Sequence, residues 1–164
     1  MRARLTILLL AAAGGCVPNL GPQPGAVPVP APINLQLPAR IALHPFTGTR
    51  VFSEAGGITG VDVRIEARDH WDDATKAFGQ FRFELYHFRA TSADPRGDRV
   101  AVWNVDVLDP QANRRHWNNI SKTYQFKLGW NEPIPIGQHF VLEAFFQSPF
   151  GPRLEDRQVF ISGQ

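Results

Sequence analysis

Cysteine is nearly absent from this chain: Cys16 is the only one in 164 residues. An internal disulfide is therefore excluded, and a folded domain must rest on its apolar core. Runs of one charge are missing too. Lysine and arginine form no stripe of the kind nucleic acid needs, so no nucleic-acid partner is expected. No long stretch of helix formers occurs outside the first residues, which disfavours a helical bundle. Catalytic signatures are also lacking. There is no G-x-S-x-G, H-E-x-x-H, Walker or dinucleotide-binding motif. Serines are few, and none has a base beside it in sequence. No catalytic residue and no cofactor is assigned, and the chain is not expected to be an enzyme.

What is present favours an all-β domain. Hydrophobic residues make up 43% of the chain, with 12 Phe against 2 Tyr, and Gly and Pro at 14 each. The length suits about one domain. The formal charge is +2, but Arg2 and Arg4 sit in the leader described next. Without them 17 − 2 = 15 basic residues face 15 acidic ones.

Residues 1–15 have the layout of an export signal. Arg2 and Arg4 give the positive start, and residues 5–13 (LTILLLAAA) give the apolar stretch. As helix that stretch would be roughly 14 Å long, too short for a bilayer core of about 30 Å. Two cleavage schemes follow. Ala11-Ala12-Ala13 offers an A-x-A site for ordinary secretion, which would leave Cys16 as a free thiol. Ala13-Gly14-Gly15-Cys16 resembles the lipobox of bacterial lipoproteins, with alanine where leucine is common. That resemblance covers only the first 16 residues. It implies a diacylglycerol on the Cys16 thiol, cleavage before Cys16 and acylation of the new amine. Two or more chains anchor firmly where one holds marginally. Val17 rather than aspartate follows the cysteine, which by the same resemblance implies transfer to the outer membrane of a Gram-negative-type envelope.

Residues 17–38 hold seven prolines and no charge. Such a segment builds no core and is expected to populate polyproline II as a tether between lipid and domain.

From residue 39 to 164 short apolar segments alternate with turn signals, the pattern of an all-β sandwich. Strands are expected at 40–45, 57–69, 79–89, 99–108, 120–129, 137–148 and 156–163. The second is clearest: Val61, Val63, Ile65 and Ala67 alternate with Asp62, Arg64, Glu66 and Arg68. Trp103 alternates with Ala101 and Val105 and is expected in the core. Glu143, between Leu142 and Ala144, should reach solvent or pair with an arginine on its sheet face. Residues 113–119 hold one helical turn at most. The fold is thus about seven antiparallel strands in an immunoglobulin-like or transthyretin-like sandwich.

Antiparallel succession sends alternate loops to the same end. Loops 69–78, 109–119 and 149–155 then share one end, where binding residues commonly sit. Trp71, Trp117 and Phe150 are candidate ring-stacking residues for a sugar, with Arg153 beside them. His70, Asp72, Asp73 and His116 are weak candidates for a metal, since zinc or calcium needs several such ligands converging. Each group also has a plain reading, as core caps or as a solvated turn. The expected function is a membrane-anchored envelope lipoprotein carrying a non-catalytic binding or structural module. Its partners would be the membrane through Cys16 and an envelope protein or polysaccharide. The alternatives are a carbohydrate-binding module and a metal-dependent site on the same loops.

Overall fold

The computed structural model describes residues 27–31, 33–53, 56–130 and 132–163. Two antiparallel sheets face each other. The first contains β1 (Arg40–Leu43), β2 (Gly48–Phe52), β3 (Ile58–Arg68), β6 (Trp117–Asn118) and β7 (Thr123–Gly129). The second contains β4 (Gln80–Phe88), β5 (Arg96–Asp106), β8 (His139–Gln147) and β9 (Leu154–Ile161). One helix, α1 (Pro110–His116), links β5 to β6.

β1 and β2 pair with successive parts of β3 and act as one interrupted strand. Pro45 causes the break, because it has no N–H for the ladder. Thr47 repairs the gap: its hydroxyl accepts from the Arg64 N–H at 3.1 Å and lies 3.3 Å from the Arg64 carbonyl. The first sheet is ordered β1/β2-β3-β7-β6 and the second β5-β4-β8-β9. In chain order this is A-B-E-D facing C′-C-F-G, the immunoglobulin arrangement of the two left open.

The sequence missed β2 and β6. It also placed the helical turn too late. Asp109 caps α1 by accepting from Ala112 N–H at 2.8 Å, and Pro110 occupies the first turn. Together these two residues form a helix start. Trp117, expected inside the turn, begins β6 instead.

The proline-rich segment also departs from expectation where it is described. Ile33–Gln36 form a 3-10 turn rather than polyproline II. The chain is pinned across one end of the sandwich: Val27 N–H to Pro149 carbonyl at 2.9 Å, His70 N–H to Leu35 carbonyl at 3.3 Å, Thr75 Oγ1 to Gln36 carbonyl at 2.8 Å. Cys16 and the rest of that segment up to residue 26 lie outside the described residues.

The core is aromatic. Phe81 meets Phe83, Tyr124, Phe126 and Phe146 with centroids 4.8 to 6.0 Å apart. Trp103 is half-buried at the β5 rim rather than central, and its indole N–H donates to the Gly129 carbonyl at 2.8 Å, joining the two sheets.

Candidate functional site

The three loops predicted to share an end do so. Phe78 of the β3–β4 loop stacks on Phe150 of the β8–β9 loop at 5.6 Å. Lys76 lies 5.8 Å over the Trp117 ring. Beneath them sits a buried polar knot. The Tyr124 hydroxyl accepts from Ala77 N–H at 2.8 Å and donates to Asn113 Oδ1 at 2.9 Å. Asn113 Nδ2 donates to the carbonyls of Ala77 at 2.6 Å and Val107 at 3.1 Å. One tyrosine thus ties α1 and the β3–β4 loop to the core. Burial raises its phenol above the usual value. Tyr124→Phe strands a buried N–H, and a loss of about 1–2 kcal/mol in urea unfolding is expected.

DHWDD at 69–73 is organised from within. The Asp69 carboxylate accepts from the N–H groups of Trp71 at 2.9 Å and Asp73 at 3.1 Å. Asp72, at φ 69°, pairs with Arg40, whose guanidinium holds its carboxyl below the usual range. His116 bonds the Gln125 carbonyl through Nδ1 at 3.1 Å and packs on Phe126 at 4.9 Å. His70 is exposed. Among the described residues no three His, Cys, Asp or Glu converge as a metal would require, so His70, Asp72, Asp73 and His116 are not gathered at one point.

The aromatic candidates are spread in the same way. Trp71 is 55% exposed, and no ring contact joins it to the others among the described residues. Trp117 stands edge-on to Tyr124 at 5.0 Å, and its N–H donates to Asn119 at 2.9 Å. Arg153 leaves the loop end altogether and lies 4.0 Å over Phe145 on the outer face of the second sheet. The loop end instead holds a depression of about 320 Å³ lined by Lys76, Phe78, Leu108, Asn113 and Arg114. Sequence reasoning named these loops without singling out those residues.

On the outer face of the second sheet Glu143 does pair with arginines, as its place in the sequence predicts, but the acid opposite it was missed. Glu84 and Glu143 face each other across β4 and β8. Like charges in this position repel, yet both are buried, at 8% and 4% exposure. Arginines from both rims, with Arg82 of β4 itself, resolve the conflict. Arg157 Nε lies 2.9 Å and Arg96 3.2 Å from Glu143, while Arg82 lies 2.6 Å and Arg99 3.4 Å from Glu84. Tyr86 donates to Glu84 as well. Arg96 also grips Asp94 and holds that carboxyl down at about 2. Burial pushes the Glu84 carboxyl up, but the hydrogen bonds of Tyr86 and Arg82 prevail, and it lies below the usual range.

A depressed folded pKa means stability that is full above the ordinary glutamate value and lost as pH falls through the folded one. Arg82→Met leaves Glu84 short of a partner. The loss expected at neutral pH is about 1 kcal/mol, the low end for a charged partner, because Arg82 is itself half exposed to water. The gap from wild type should close below about pH 4. Melting curves taken across acid pH check this; a gap that stays constant with pH would contradict it.

Comparison of the chain with protein-family models, curated proteins and solved structures finds no match.

Proposed function

We propose that this chain is an exported lipoprotein, joined through Cys16 to the outer membrane, whose sandwich is a non-catalytic binding or bracing module for an envelope partner. The observation that carries the non-catalytic half is the pairing of the opposed glutamates Glu84 and Glu143. A general acid needs a carboxyl whose pKa is raised towards the working pH. Glu84 is driven the other way by its partners. Glu143 is clamped between two guanidiniums. Such a lattice stiffens a sheet face.

The partner's place is the rims of the second sheet. β5 and β9 are its outer strands; among the described residues the outer edge of β5 is unpaired, while that of β9 is approached by β1, whose Leu43 N–H donates to Asp156 at 2.6 Å. An extended protein segment can add to an unpaired edge through its main chain. Exposed Val102 and Val159 flank the charged lattice on these rims.

Two measurements test the reading. Intact mass of the protein from host membranes, beside Cys16→Ser, should show a chain starting at Cys16 with acyl mass that the variant lacks. A chain starting at Gly14 with a free thiol removes the anchor. Photo-crosslinking residues placed at Val102 and Val159 should each yield a discrete adduct in cells. The same residue at Arg64, mid-sheet on the other face, should not. Identical adducts from all three positions would remove the rim assignment.

A further inference from the structure

One end of the sandwich exposes six apolar side chains: Val27, Ile33, Trp71, Phe78, Leu108 and Ile120, the last at 96%. Topology gathers them. β3 ends at Arg68, β5 at Asp106 and β8 at Gln147, all delivering chain to this end. The turn between β6 and β7 projects there too, because Tyr124 pairs with Ile65 near the end of β3. Exposed cations stand among these residues, namely Lys76, Arg114, Arg115 and Lys122. Of the acids at this end Asp69 is buried, while Asp72, Asp73, Asp106 and Asp109 are exposed but each has a local partner or a cation nearby. Asp69, Asp106 and Asp109 accept backbone N–H groups, Asp72 pairs with Arg40, and Asp73 lies in the field of Arg68.

The N-terminal chain arrives at this same end, where Val27 bonds Pro149. Residues 17–26, ten in all, separate it from Cys16. Fully stretched they reach at most about 36 Å. The 11 residues of β3 span about the same distance. If the tether ran back along the sandwich, no length would remain to put a lipid into a bilayer beyond the far end.

Resting on the lipid anchor proposed above, we propose that this end seats on the phospholipid surface. Trp71, Phe78 and Ile120 enter the interfacial layer, with Lys76, Arg114 and Lys122 at the headgroups. Amphipathic rings and long cationic side chains suit that boundary. The β5 rim then stands clear of the membrane, open to a partner.

The test uses the full lipidated chain in protein-free vesicles of phosphatidylethanolamine and phosphatidylglycerol. The thioether occupies the only native thiol. A fluorophore on Ile120→Cys or Ile136→Cys therefore reports one position. Ile136 is 87% exposed in the β7–β8 connection at the far end, so neither change disturbs packing. Nitroxide-bearing lipid should quench the label at Ile120 and shift its emission to the blue. The label at Ile136 should keep its solution values. Equal behaviour at the two positions overturns the seating. So does quenching at Ile120 that occurs only with native membrane proteins present, which would mean that a protein covers this end. Intact mass of the same sample separates the premises. With acyl mass present, equal labels remove the seating and leave the anchor. With acyl mass absent, both fall together.

Discussion

Phe81→Ala is expected to remove about 3–5 kcal/mol of stability. That is much of the roughly 5–15 kcal/mol a domain of this kind holds in total. The Phe81 ring is fully buried and touches rings from both sheets: Phe83 and Phe146 on its own, Tyr124 and Phe126 opposite. Truncation takes away its transfer free energy and opens a cavity that four aromatic rings cannot collapse to fill. No disulfide holds the sheets if they separate, since Cys16 is the only cysteine. Phe150→Ala is the matched control. That ring is half-buried, stacked on the exposed Phe78, and about 1 kcal/mol or less is expected. Urea unfolding of both variants checks the contrast. Equal losses would mean that Phe81 is not the keystone of the core.

The core was legible because a strand covered on one face writes that face into its sequence. β3 and β4 show period-two alternation in sequence, and 139–147 is dense in apolar and aromatic side chains. Rim strands carry no such record. β2 is half-exposed along most of its length, and β6 has only two residues, so neither left a pattern. Their loss did not upset the loop grouping. β1 and β2 share one direction, and β6 is a brief excursion before β7. Parity therefore brought loops 69–78, 109–119 and 149–155 to one end, where the Phe78–Phe150 stack and the Lys76–Trp117 contact now join them. Parity could not say which side chains would touch. The opposition of Glu84 to Glu143 was illegible for the same reason. It depends on the register of two strands that lie nearly 60 residues apart in the chain.

Gly60→Ala and Gly129→Ala should differ sharply, although the two glycines are register partners on β3 and β7. A methyl group on Gly60 would lie 2.1 Å from the Leu128 carbonyl oxygen and 2.7 Å from the Phe52 ring. That oxygen belongs to the ladder between β3 and β7 and cannot withdraw without parting the central pair of the first sheet. Phe52 is buried and cannot swing away freely. Overpacking usually costs about 1–3 kcal/mol, and contact with fixed backbone puts Gly60→Ala at the upper end, about 3 kcal/mol. At Gly129 the nearest atom is the Ile58 Cγ2 at 3.4 Å, an ordinary contact with a side chain. Alanine there restricts the unfolded chain and adds no clash, so a change within about 0.5 kcal/mol is expected. Neither glycine has a positive φ, so backbone strain plays no part and the difference is steric alone. Chemical denaturation of the two single variants, each against wild type, measures it. If Gly129→Ala proves as costly as Gly60→Ala, the close approach of Leu128 to Gly60 is not what makes that glycine necessary.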